Sequence, residues 1–115
     1  MALIATPLEL YRAGKSNGPR FEHFSTANPE IVIQNRIGVD WVLGPLQGGA
    51  STLTAPQGLK NVVWYALPAG TTYDDNVFHL WSDYPGHWSW EPAQNMQLSA
   101  YLDALRALNS EFSRV

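Results

Sequence analysis

The chain has 115 residues, of which 7 are basic and 10 acidic, giving a formal charge of −3. Its length suits one domain, and a charged fraction of 15% beside 5 Trp, 5 Tyr and 4 Phe argues against disorder. The absence of cysteine excludes disulfides, thiolate nucleophiles and Cys-ligated zinc, and the acidic balance offers no general field for nucleic acid.

The opening "MALIATPLELYR" lacks the basic n-region and long apolar run of a Sec signal, and no stretch is long and apolar enough to span a membrane, so the expectation is a soluble cytoplasmic protein. Residues 8–13, "LELYRA", alternate and read as a first strand ended by Gly14. Arg12 then shares a face with Leu8 and Leu10 and points inward, where a guanidinium needs a partner or an anionic ligand. A polar loop follows, "GKSNGPRFEHFSTANPE", in which Lys15 and Arg20 are placed to steer a phosphate or are simply solvated. Residues 31–34 and 39–43 predict a hairpin joined through 35–38, with Gly38 taking a positive φ.

In "GGAST" the paired glycines Gly48 and Gly49 let backbone approach a ligand closely, with Ser51 or Thr52 to hydrogen-bond it; a turn opening a strand is the simpler reading. "NVVWYAL", "NVFHLWSD" and "GHWSWEP" predict three further strands, the last two separated by 83–86. On the last strand His87, Ser89 and Glu91 share one face, and Trp88 and Trp90 the other. Trp41, Trp64 and Trp81 are assigned to the core, and core packing is the simpler reading of Trp88 and Trp90 as well. Leu98, Tyr101, Leu102, Leu105, Leu108 and Phe112 form one apolar stripe, predicting an amphipathic helix that runs to the C-terminus.

His23, His79 and His87 show no metal-ligand spacing, so no metal site is expected. There is no GxSxG elbow, Walker loop or GxGxxG, leaving serine hydrolase, P-loop and Rossmann readings without a motif.

Taken in order, Tyr11-Arg12, Gly48-Gly49 with Ser51, Pro68 with Gly70-Thr71, and His87 with Pro92-Ala93 and Met96 resemble the recurring residues of small type VI secretion effector toxins with an ADP-ribosyltransferase-like fold. The likeness spans most of the chain. It implies a compact α+β domain over residues 1–115, with two packed antiparallel-rich sheets, a C-terminal helix and a cleft for NAD as substrate. It also implies a toxin held harmless by a cognate immunity protein, exported without a Sec signal and acting on a molecule of the target-cell cytoplasm. In that family's terms Arg12, Ser51, His87 and Glu91 are the catalytic candidates. Tyr11, Arg12, Gly49, Ser51, Thr52, Tyr65 and Trp90 are the NAD-binding candidates, an aromatic such as Trp90 or Tyr65 stacking on nicotinamide. The usual [Gln/Glu]-x-Glu turn is not present, Glu91 lying instead in "WEPAQ", which leaves NAD glycohydrolysis open beside ADP-ribosyl transfer. The alternative is a non-catalytic, aromatic-rich β module whose indoles stack on carbohydrate or bury against a protein partner.

Overall fold

In a computed structural model of the chain, residues 3–23, 30–58 and 61–115 are described. Strands run in the order β1 (Leu3–Ala5), β2 (Leu10–Gly14), β3 (Ile33–Arg36), β4 (Val39–Val42), β5 (Ala50–Leu53) and β6 (Val63–Leu67). Then come β7 (Thr72–Asp74), β8 (Phe78–Tyr84), β9 (His87–Pro92) and β10 (Met96–Gln97), the helix α1 (Leu98–Leu108), a 3-10 turn over Asn109–Glu111 and β11 (Ser113–Arg114). Six strands form the main sheet in the order β11-β6-β2-β5-β9-β8, three form a second (β10-β4-β3), and β1 pairs with β7. Every pairing is antiparallel. The expected α+β class therefore holds at the level of antiparallel β structure with a C-terminal helix, the strands among the described residues being shared among three sheets rather than two.

Alternation in the sequence decides which face of the main sheet is buried. Along β2, Leu10, Arg12 and Gly14 are buried while Tyr11 and Ala13 are only partly so, as the predicted first strand requires. Directly opposed residues in antiparallel strands share a face, so the register Arg12 to Tyr65 and Leu10 to Leu67 extends this inner face across β6. Trp90, fully buried, lies at its centre and makes edge-to-face contacts with Phe21, Tyr73 and Phe78 at centroid distances of 5.6, 5.1 and 5.4 Å. Trp41, Trp64 and Trp81 are half-buried, so the expectation that they fill the core is corrected: Trp90 is the core indole.

The predicted hairpin of β3 and β4 forms, but its first strand runs Ile33–Arg36 rather than 31–34 and the turn shrinks to Ile37 and Gly38, both at positive φ (50° and 77°), the two left-handed residues that a tight hairpin turn needs. The helix places Tyr101, Leu105 and Leu108 on the core. It stops at Leu108 rather than at the C-terminus, because Asn109 turns its side chain to the chain segment after β2, accepting from the Phe21 N–H at 3.0 Å and donating to Glu22 at 2.8 Å. Phe112, predicted on the helical stripe, is buried from beyond the helix, beside Phe21. Tyr101 ties α1 to the main sheet: its hydroxyl donates to the Trp90 carbonyl at 2.6 Å and accepts from the Ala50 N–H at 3.0 Å. Burial pushes this phenol far above its ordinary pKa. Among the described residues no helix is long and apolar enough to cross a membrane.

Candidate functional site

The site begins where two neighbouring strands stop pairing. Strands β2 and β5 are in register only at Tyr11 and Leu53. At Ser51 the backbone of β5 turns instead to side chains: its N–H donates to Glu30 Oε2 at 2.6 Å and its carbonyl accepts from Arg12 Nη1 at 2.9 Å. Arg12 Nη1 lies 3.6 Å from the same Glu30 oxygen, and its Nη2 donates to the His23 carbonyl at 2.8 Å. An arginine and a glutamate thus fill the gap between the strands, each satisfying backbone groups the ladder leaves open. The guanidinium also stands over the Phe21 ring, 5.5 Å from its centroid. Among the described residues the buried Arg12 Nε has no hydrogen-bond partner.

The glycines before Ser51 serve this arrangement. A Cβ on Gly48, whose φ is +99°, would lie 2.4 Å from the Glu30 carbonyl oxygen, and one on Gly49 would lie 2.4 Å from the Trp90 carbonyl oxygen. The close approach the pair permits is to the chain's own backbone: Gly48 admits residue 30, and Gly49 packs on β9.

Arg12 opens onto a cleft of about 370 Å³ lined by residues 12–15, Arg20, His23, Glu30 and Val62. Three cationic side chains against one carboxylate make it an anion-attracting surface. One wall is the turn after β2, where Lys15 and Gly18 exchange backbone hydrogen bonds at 3.0 and 3.1 Å, folded back so tightly that a Cβ on Gly14 would lie 2.3 Å from the Gly18 carbonyl oxygen. Tyr65 donates to the Lys15 carbonyl at 2.5 Å and so pins this wall to β6. Arg20 Nη2 and His23 Nδ1 are 3.2 Å apart on the far side.

The opposite face of the sheet carries a different group of side chains. Register places Tyr11, Leu53 and His87 on one side, and Ser51 and Ser89 with them, away from the Arg12 side chain. There His87 Nε2 lies 2.9 Å from Ser51 Oγ, and His87 Nδ1 lies 2.5 Å from Asp83 Oδ1. A carboxylate only accepts, so Nδ1–H donates to Asp83, and in the tautomer with its one proton there Nε2 is the acceptor for the serine hydroxyl. Tyr84 stacks on the imidazole at 4.4 Å and 7°.

The remaining predicted residues separate from these two groups. Glu91 is buried, accepting from the Leu46 N–H at 2.7 Å and lying 3.2 Å from His79 Nδ1, and it does not line the Arg12 cleft. Thr52 faces inward, its hydroxyl donating to the Trp88 carbonyl at 2.9 Å and accepting from Trp90 Nε1 at 3.2 Å. Trp90 is fully enclosed and presents no ring face to a ligand. Tyr11 lies at the surface, its phenol raised in pKa by its hydrogen bond to Glu9. Two residues that sequence reasoning missed complete the picture. Glu30 follows an irregular loop with no periodic signal, whereas Asp83 and His87 flank the predicted turn between β8 and β9, a spacing that could have disclosed their contact. Among the described residues no group of three His, Asp or Glu side chains could hold a metal ion.

Comparison with protein-family models, with curated proteins and with solved structures returns no match.

Proposed function

We propose that the chain binds the pyrophosphate of NAD in the cleft over Arg12 and acts on the nicotinamide–ribose bond, as an ADP-ribosyltransferase-like toxin neutralised by a cognate immunity protein. The observation that carries this reading is the inward Arg12 at the parting of β2 and β5, flanked by Lys15 and Arg20 on a cleft with a single carboxylate, Glu30. A guanidinium has five N–H donors, and two of those on Arg12 are hydrogen-bonded among the described residues. The further N–H groups on Nη1 and Nη2 suit phosphate oxygens, to which a guanidinium gives charge-assisted hydrogen bonds.

In this reading Arg12 holds the phosphates, with Lys15 and Arg20 adding charge at the rim. Glu30, 3.6 Å from the guanidinium, supplies the negative charge that stabilises an oxocarbenium-like ribose as nicotinamide leaves, the role the resemblance gives to Glu91. Ser51 contributes through its backbone, which fixes both Arg12 and Glu30.

Nicotinamide release from NAD, followed by chromatography with and without host-cell extract, tests the proposal. Release by the purified chain that is lost in Glu30→Gln, together with growth arrest on expression in a bacterial host, is the expected result. Undiminished growth and no release in either condition would contradict it.

A further inference from the structure

The geometry points to a second reactive centre on the other face of the main sheet: Ser51 is a nucleophile for carboxylic esters, with His87 as its general base and Asp83 as the positioning residue. This inference is independent of NAD binding, because it uses the Ser51 hydroxyl and not the Arg12 cleft.

Three observations converge. The chain Ser51 Oγ, His87 Nε2, His87 Nδ1, Asp83 Oδ1 is continuous, with contacts of 2.9 and 2.5 Å. That is the order in which a hydroxyl, an imidazole and a carboxylate must stand for the imidazole to take the hydroxyl proton while the carboxylate fixes its tautomer and stabilises the imidazolium. The parts are also held rigidly. Tyr84 stacks on the ring, and the backbone of Ser51 is clamped from the inner face by Glu30 and Arg12. Finally, the centre lies at the margin of the buried region: Ser51 is half-buried and the Asp83 side chain is 28% exposed, while the His87 ring between them is buried. Leu53, on the same face and opposite both Tyr11 and His87, offers an apolar neighbour for a short acyl group.

The chemistry balances without any added reagent other than water. Ser51 Oγ bonds to the ester carbonyl carbon as its proton passes to His87 Nε2. The bond from that carbon to the leaving oxygen breaks, and the departing alcohol takes the proton. Water, deprotonated by the same imidazole, then adds to the acyl-serine carbonyl carbon and releases the acid, the proton returning to Ser51. The Ser51 N–H is committed to Glu30 and so does not serve the oxyanion, which restricts the centre to activated esters.

The test uses the full chain and a fluorophosphonate probe, whose phosphorus is attacked with loss of fluoride, with p-nitrophenyl acetate turnover as a second readout. The expected result is one phosphonyl adduct, mapped by mass spectrometry to Ser51, formed about 100-fold faster than on free N-acetylserine amide, the low end of a general-base contribution. Ser51→Ala abolishes it, and His87→Gln slows it by a similar factor. Asp83→Asn slows it less, with partial rescue in Asp83→Glu, while tryptophan fluorescence verifies that each variant is folded. No adduct on the folded wild-type chain, an adduct at another residue, or equal rates in wild type and folded His87→Gln would overturn the inference.

Discussion

The two faces of the six-stranded sheet treat their polar groups in different ways. On the inner face Arg12 is buried, where an ion must be paired, and four groups serve that need: the Glu30 carboxylate, the Ser51 and His23 carbonyls and the Phe21 ring. On the outer face Ser51, His87 and Asp83 form a chain of hydrogen-bonded groups in which the imidazole is buried and only Asp83 reaches solvent. One residue joins the two, since Ser51 gives its backbone to the inner pair and its hydroxyl to the outer chain. A single strand position therefore holds two chemistries apart, one on each face of the sheet.

This contrast predicts an order of mutational cost. Arg12→Ala strands a partly enclosed carboxylate and the Ser51 carbonyl, and should lower unfolding free energy by about 3–5 kcal/mol in urea titrations. Glu30→Ala should behave similarly, and a double-mutant cycle should give a coupling of roughly 1–3 kcal/mol; additivity of the two would break the claim that they act as a pair. Tyr101→Phe removes the phenol that serves Ala50 and Trp90 and should cost about 1–3 kcal/mol.

Tyr101 also fixes a pH dependence. Burial raises its folded pKa above the ordinary 10.0, so the fold favours the neutral phenol. Its contribution to stability is complete below pH 10.0 and is lost as pH rises from there through the raised folded value. Stability of the wild-type chain should fall over that alkaline range, and Tyr101→Phe should flatten the fall, leaving the parts due to Tyr73, which burial and Asp75 raise in the same sense, and to Tyr11, raised by its hydrogen bond to Glu9.

Replacements on the outer face sharpen the comparison from the other side. His87→Gln should cost about 1–3 kcal/mol, because the buried ring bonds Asp83 through one nitrogen and Ser51 through the other, a pair of contacts one amide does not reproduce. Lys15→Ala and Arg20→Ala at the cleft rim should be nearly silent in stability, within about 0.5 kcal/mol, while weakening anion binding.

Much of this architecture was legible in the sequence because alternation and turn chemistry are local. Arg12 inward with Leu10, the hairpin with Gly38 at positive φ, and the shared face of His87, Ser89 and Glu91 all follow from a period of two and a glycine. What was not legible depends on contacts between distant segments. Glu30 gains its role from Ser51, 21 positions on, and the helix ends where Asn109 meets Phe21, 88 positions away. Trp90 and Trp81 sit in similar aromatic patterns, yet one is enclosed and the other only half-buried, because enclosure depends on what packs above each strand and not on the strand itself. The paired glycines read as a place for a ligand, whereas the close neighbours are the chain's own Glu30 and Trp90 carbonyls.

Isothermal titration of NAD into the wild-type chain, and into Arg12→Lys, Lys15→Ala and Arg20→Ala, tests the inner-face site most directly. The expected result is saturable binding to wild type, weakened about tenfold or more by Arg12→Lys, as loss of a charge-assisted hydrogen bond worth about 1.5–3 kcal/mol requires, and less by Lys15→Ala and Arg20→Ala, whose rim charges are worth about 1 kcal/mol or less. Absence of binding to wild type, or equal affinity across folded variants, would contradict it.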